Sequence, residues 1–197
     1  MKFNTLPLAI LAATAFNATT AIAQSPDWNW VEAGYSSVDI DGLEETDLSG
    51  YSLTGSRLLG ENFFVVGSYS TVGDDFAGAS VDLNELSLGV GYRMVMTDTT
   101  DFYGTISYEN IELETKSYDA SESIDENGYK IAIGIRSRVT ADIELDGSIG
   151  YLDINDESEM TLGLAAYYYF NETFALGANY SKIDEFDTMG VSLRLAF

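Results

Sequence analysis

Apolar and polar residues alternate one by one along most of the chain after residue 27, which is the period of a β-strand and not of a helix. Segment 86–94 is the clearest case, since one face holds Leu86, Leu88, Val90, Tyr92 and Met94 and the other holds Ser87, Gly89, Gly91 and Arg93. The alternation predicts ten strands, near residues 28–39, 48–59, 62–72, 83–96, 101–113, 128–139, 142–153, 159–170, 172–182 and 188–197. Eight strands remain the alternative, because limits read from a pattern shift by about two or three residues.

The connections between these segments alternate in length. Links at 60–62, 97–100, 140–141 and 171–172 are tight, whereas those between them, such as 114–127, are longer and polar. This pattern is typical of an up-and-down meander with short turns at one end and long loops at the other. Strands of about 11 residues tilted by about 40° span about 25–28 Å, the height of an outer-membrane apolar band. An even number of strands closes the barrel with both termini at the short-turn end.

A soluble β-sandwich would show the same alternation with its apolar face turned inward. Two features favour a membrane barrel instead. The polar face combines small residues with ionised groups, as a wet lumen does, and aromatic residues stand near the strand ends of the apolar face, as in an interfacial girdle. These aromatic residues are Tyr35, Tyr51, Tyr92, Phe102, Tyr151, Tyr168, Tyr180 and Phe197. We therefore predict an all-β protein, an antiparallel up-and-down transmembrane β-barrel.

The first residues have the composition of an export signal. Lys2 precedes an apolar run from Leu6 to Phe16, and Ala21 and Ala23 form a small-x-small cleavage site. The run is too short for a membrane-spanning helix, which needs about 20 apolar residues. The sequence predicts a signal peptide over 1–23 and a barrel domain over 24–197 of a bacterial envelope protein.

Composition excludes several classes of function. The chain has 9 Lys and Arg against 32 Asp and Glu, and its net charge of −23 opposes binding to nucleic acid. With neither His nor Cys, imidazole-based catalysis, disulfides and thiolate metal sites are excluded. Because no nucleophile and base can be paired, we predict that the protein is not an enzyme and assign no catalytic residue, metal ligand or cofactor.

A set of charged residues alternates with the apolar face and is therefore expected inside the barrel. Its members are Glu32, Arg93, Arg136, Arg138, Glu144, Asp146 and Arg194. We expect a charge cluster across the lower lumen, with Arg136 directly opposite Glu144 and in reach of an ion pair if the turn near 140 has two or three residues. Two interpretations stay open: the cluster is a plug that fills a narrow barrel, or it is a constriction that selects solutes.

Most other acidic residues are expected in the long loops. They form groups at 39–47, 74–82, 114–126, 153–159 and 184–187. Together they predict a negative rim that attracts divalent cations. An ordinary solvated surface is the alternative, because a hard-cation site needs several converging oxygen atoms.

The last eight residues, 190–197 (GVSLRLAF), together with the export signal and the meander, resemble the small outer-membrane β-barrel proteins of Gram-negative bacteria, including porin-like and OmpA-domain-like groups. Segments 27–35 (DWNWVEAGY) and 134–137 (GIRS) are similar to a subgroup discussed as immune elicitors or signalling proteins.

This resemblance implies a location in the outer membrane, in contact with its lipids and lipopolysaccharide. It also implies assembly by the barrel assembly machinery, with Phe197 as the aromatic terminal signal. The implied function is a structural or surface-interaction role with acidic extracellular loops, and a narrow porin-like channel for small solutes or cations is the alternative.

Overall fold

The computed structural model describes residues 25–40, 48–76, 79–117, 120–155 and 157–197. They form a closed antiparallel barrel in which every strand pairs with its neighbours in the chain and the last pairs with the first. The strands are β1 (Trp30–Ile40), β2 (Leu48–Leu59), β3 (Phe63–Phe76), β4 (Ala79–Thr97), β5 (Thr100–Ser117), β6 (Ala120–Arg138), β7 (Ile143–Ile154), β8 (Glu157–Tyr169), β9 (Phe174–Ile183) and β10 (Phe186–Ala196). The predicted fold class is confirmed, with ten strands and not eight.

Pairing of β1 with β10 closes the barrel. The pairs run from Trp30 opposite Ala196 to Ile40 opposite Phe186, so the start of β1 and the end of β10 meet at the short-turn end. In the described ranges no helix is long and apolar enough to cross a membrane. The predicted signal peptide at 1–23 lies outside the described residues.

The outward face of the barrel is an exposed apolar band. Leu88, Ile133 and Leu193 are each about half exposed and point away from the barrel interior. Aromatic rings border the band at both ends, with Phe63 against Tyr92 at the short-turn end and Tyr35 against Tyr51 at the other. A sandwich would bury these apolar side chains between two sheets, so this exposure excludes the sandwich alternative.

Beyond the outer ring of tyrosines, the apolar residues change to the inward face. Tyr108 of β5 is exposed on the apolar band, whereas Leu113 lies an odd number of residues further along the same strand and so on the opposite face. At this level Val38, Leu48 and Val72 form a small buried core against Leu83. The outermost part of the barrel is therefore built like a soluble barrel, a change of face that we did not predict from the sequence.

Three strands are much longer than predicted. β4, β5 and β6 contain 19, 18 and 19 residues, against 10 to 14 in the other strands. The prediction of a loop over 114–127 was wrong, because β5 continues to Ser117 and β6 begins at Ala120. Frequent charged residues there weakened the strand pattern. We call the outer ends of β3 to β6 the projecting sheet, residues 72–76, 79–85, 111–117 and 120–127.

Many acidic residues that were expected in loops lie on strands instead. Glu114, Glu122, Asp125 and Glu126 belong to the projecting sheet, and Asp187 belongs to β10. The acidic residues at 41–47, 119 and 156 lie outside the described residues. Much of the negative charge at the long-loop end is therefore carried by residues of hydrogen-bonded strands and not by residues of loops.

Candidate functional site: the lower lumen

Glu144 is the centre of the charged cluster in the lower lumen. It lies on the inward face of β7, with 0% of its side chain exposed. Its carboxylate accepts hydrogen bonds from Arg136 at 2.5 Å, Arg194 at 3.2 Å and Arg138 at 3.5 Å. The Tyr169 hydroxyl donates a further bond at 3.3 Å. One buried carboxylate thus holds together three guanidinium groups from β6 and β10.

The register between β6 and β7 differs from the one expected. Arg136 lies opposite Asp146, and Arg138 lies opposite Glu144. The expected direct pairing of Arg136 with Glu144 was wrong, because β6 ends at Arg138 and β7 begins at Ile143, which leaves four residues between them. The expected ion pair is confirmed nevertheless, because Arg136 reaches Glu144 diagonally, and Arg136 also has Asp146 at 3.5 Å.

A second ion pair joins the cluster to the seam of the barrel. Arg194 of β10 donates to Glu32 of β1 at 2.7 Å, and the two residues are directly opposite each other in the register. The structure therefore brings six of the seven predicted residues into one network. These are Glu32, Arg136, Arg138, Glu144, Asp146 and Arg194.

Arg93, the seventh residue, has a different partner. It pairs at 3.0 Å with Asp101, whose side chain is 0% exposed. Asp101 also accepts a 2.7 Å hydrogen bond from the indole nitrogen of Trp28. We did not assign Asp101 or Trp28 to the cluster from the sequence. Asp101 could have been found, because it alternates with Phe102 and therefore belongs to the inward face of β5.

Aromatic rings fill the space between these charges. Trp28 lies 4.4 Å from Phe64 and 5.3 Å from Tyr103, measured between ring centroids. The Arg136 guanidinium is 4.6 Å from the Trp28 ring, and that of Arg194 is 3.6 Å from Tyr167. Such cation–π contacts keep guanidinium groups satisfied where water is excluded. Charges and rings thus contact one another within the lower lumen. We call this set the plug; it consists of the six-residue network with Arg93, Asp101, Trp28, Phe64, Tyr103 and Tyr167.

Glycines on neighbouring strands make room for the rings of the plug. Phe64 lies opposite Gly91, Tyr103 opposite Gly134, and Tyr167 opposite Gly177. A Cβ atom added to these glycines would come within 2.1, 2.4 and 2.7 Å of the facing ring. The inward glycines of the alternating pattern are therefore required by packing.

A smaller polar network lies further along the lumen, towards the projecting sheet. Glu109 accepts hydrogen bonds from Ser87 at 3.0 Å and Ser107 at 2.5 Å and has Lys130 at 3.6 Å. At the outer end of β9, the Lys182 ammonium and the Tyr180 hydroxyl both donate to Asp187 and lower the pKa of its carboxyl. In the part of the chain that the structure describes, no group of three or more acidic residues is arranged to hold a metal ion.

Comparison with known proteins identifies the relatives of this architecture. Residues 8–181 match the family described as outer membrane protein beta-barrel domain. The NanC porin is 7% identical with a TM-score of 0.55, covering 85% of this chain and 100% of its own. The translocator domain of the autotransporter NalP from Neisseria meningitidis is 13% identical with a TM-score of 0.50, covering 88% and 90%.

The attachment invasion locus protein Ail of Yersinia pestis is 16% identical with a TM-score of 0.44, covering 85% of this chain and 95% of its own. No curated protein sequence matches the chain. At these identities the likeness concerns the fold alone.

Proposed function

This chain belongs to the outer membrane protein beta-barrel family, and from that premise we propose that it is a surface-interaction barrel whose lumen is closed. The protein resides in the outer membrane, as the family and its structural relatives do. Its proposed role is to hold the acidic projecting sheet at the cell surface, with the membrane-embedded barrel as the support.

The burial of the plug carries this proposal. A conducting pore needs a continuous path for water, yet Glu144, Asp101, Arg136 and Arg194 are all almost completely inaccessible to solvent. Each of these charges has a counter-charge within 3.2 Å. Opening a path would separate buried ion pairs, which costs about 3–5 kcal/mol for each partner that is lost.

The other end of the lumen supports the same proposal. Val38, Leu48 and Val72 bury one another on the inward face near the outer rim. An apolar cluster at this position does not provide the polar groups that would replace the hydration shell of a passing ion. The alternative is a narrow channel for small solutes or cations, which requires the plug to move aside.

The proposed partners follow from the outer surface of the barrel. The exposed apolar band and its tyrosines suit membrane lipid and lipopolysaccharide. Phe197 is exposed at the short-turn end, where its backbone N–H donates to the Asn29 carbonyl at 3.0 Å, and is available to the barrel assembly machinery. Acidic side chains on the projecting sheet are available to divalent cations.

Conductance in planar bilayers tests the closed lumen. Protein refolded into vesicles is first shown to be folded by heat-modifiable gel migration and to be inserted by flotation of the vesicles. We expect no current steps after fusion of these vesicles with the bilayer. Stable steps whose size depends on salt concentration would contradict the proposal and favour the channel.

A further inference from the structure

The outer part of β6 is an open sheet edge. β6 pairs with β5 from Ser137 opposite Thr100 out to Ala120 opposite Ser117. Its pairing with β7 begins only at Gly128, opposite Ile154. Residues 120–127 therefore have a strand partner on one side only, within the part of the chain that the structure describes. Ile124 is 59% exposed at this edge.

The orientation of the free backbone groups can be derived from the hydrogen bonds. The Arg138 N–H donates to the Thr99 carbonyl on the β5 side. Along a strand, successive residues direct their N–H and C=O groups to opposite neighbours, and the β5–β6 register runs without a shift. Even-numbered residues of β6 therefore bond to β5. The odd-numbered residues direct their donors and acceptors to the open side: Ser121, Ser123, Asp125 and Asn127.

An apolar row crosses the projecting sheet and ends at this edge. Val72 lies opposite Leu83, Leu83 opposite Leu113, and Leu113 opposite Ile124. Exposure rises from 7% at Val72 to 37% at Leu113 and 59% at Ile124. The row begins in the small core near the rim and its last side chain is left uncovered, so one more strand would continue it.

The negative charges beside Ile124 favour a basic strand over a second copy of this chain as the partner at the open edge. Glu122 and Glu126 flank Ile124 on the same face of β6. A second copy pairing antiparallel about Ile124 would place Glu122 opposite Glu126, and like charges directly opposite each other are destabilising. A strand with basic residues at those two positions would instead gain two favourable cross-strand pairs, the one at Glu126 replacing the 3.2 Å hydrogen bond that its carboxylate accepts from the Asn155 side chain.

We propose that the edge of β6 at residues 121–127 binds an extended basic peptide segment as an added strand, with an apolar residue opposite Ile124 and Lys or Arg opposite Glu122 and Glu126. The partner pattern is thus basic–x–apolar–x–basic. Addition of a strand draws affinity from backbone hydrogen bonds and specificity from alternate side chains. The inference names the partner class for the proposed surface role and depends on that role.

Peptide binding to the full barrel in lipid nanodiscs tests this inference. The probe is a labelled peptide containing Lys-Thr-Val-Thr-Lys, and its control has the same composition in the order Val-Lys-Lys-Thr-Thr. We expect the alternating peptide to bind at least about tenfold more tightly than the control, measured by fluorescence anisotropy. Equal binding of the two peptides, or no binding, would overturn the inference.

Amide hydrogen exchange locates the bound peptide. We expect new protection at Ser121, Ser123, Asp125 and Asn127, since their N–H groups face the open side. The amides of Glu122, Ile124 and Glu126 already bond to β5 and should change little. Protection that appears elsewhere and leaves these four amides unchanged would be incompatible with strand addition.

Two variants separate edge pairing from simple charge attraction. Ser123→Pro removes one donor on the open side and no bond to β5, as tolerated for proline on an edge strand, and should abolish specific binding. E122Q/E126Q should weaken binding about tenfold. E112Q/E114Q removes the same charge from the opposite face of the sheet and should change affinity less than twofold at physiological salt. Equal effects of the two double variants would reduce the interaction to non-specific attraction and overturn the inference.

The two proposals fail in different experiments. A barrel that shows no current steps and does not bind the peptide refutes the edge site and leaves the closed lumen supported. A conducting barrel refutes the closed lumen, whatever the peptide does.

Discussion

At the scale of single residues, Glu144 connects the charged network of the lower lumen, because three arginines share its carboxylate. Replacing it by Gln keeps the shape but leaves these guanidinium groups without their common counter-charge. We expect E144Q to lower the free energy of unfolding by about 3–5 kcal/mol, measured by denaturant titration in lipid vesicles. E159Q, at an exposed position on the neighbouring strand β8, should change it by no more than about 0.5 kcal/mol. Similar values for both variants would contradict the central role of Glu144.

The glycines under the aromatic rings make a second prediction at this scale. Gly91→Ala forces its Cβ into the Phe64 ring, whereas a Cβ at Gly104 has its nearest neighbour at 3.7 Å. We expect G91A to destabilise the barrel by about 1–3 kcal/mol, because overpacking displaces the ring that contacts Trp28. G104A is the matched control on the outward face and should be close to neutral in the same titration. A destabilising G104A with a neutral G91A would refute the assignment of the two faces.

At the scale of elements, the strands of the projecting sheet run through two environments. The apolar residues of β6 face outward in the membrane at Ile133 and inward beyond it at Ile124, although both side chains are about half exposed. Lys in place of Ile133 must enter the lipid, which costs about 2–4 kcal/mol near the middle of the bilayer. Lys in place of Ile124 is surrounded by water and acidic side chains and should cost less than about 1 kcal/mol. Both costs are measured as changes in the free energy of folding in vesicles. Equal costs would contradict the placement of Ile133 in the membrane and of Ile124 outside it.

The β6–β7 hairpin shows why elements are easier to predict than their register. Alternation placed Arg136, Arg138 and Glu144 on the inward face correctly, because that depends only on a period of two. Which of them face each other depends on the length of the turn, and a turn of four residues moved Arg138 opposite Glu144. The arginine side chain is long enough to reach a diagonal neighbour on the next strand, so the ion pair between Arg136 and Glu144 forms nevertheless.

At the scale of the whole molecule, the two ends of the barrel are expected on opposite sides of the outer membrane. Because the chain contains no Cys, a maleimide can modify only the one Cys that is introduced, and its reaction shows which side of the membrane that residue faces. In intact cells we expect a maleimide on a large polyethylene glycol to modify Ser121→Cys on the projecting sheet. Asp142→Cys in a short turn should react only after the outer membrane is permeabilised. Labelling of Asp142→Cys in intact cells would show the reverse orientation.

The sequence by itself determined the class of fold, the location of the apolar band and the inward position of the charged residues, because all three depend on which of two faces a residue occupies. Apart from the ion pair of Arg136 with Glu144, it could not determine how the inward charges are partnered. Trp28 meets Asp101 and Arg136 only when segments distant in sequence are brought together around the barrel. Tertiary structure alone decided that rings from several strands pack among these charges, because that depends on how side chains meet across the lumen. It also decided that, among the described residues, the outer part of β6 pairs on one side only, because that depends on where β7 ends.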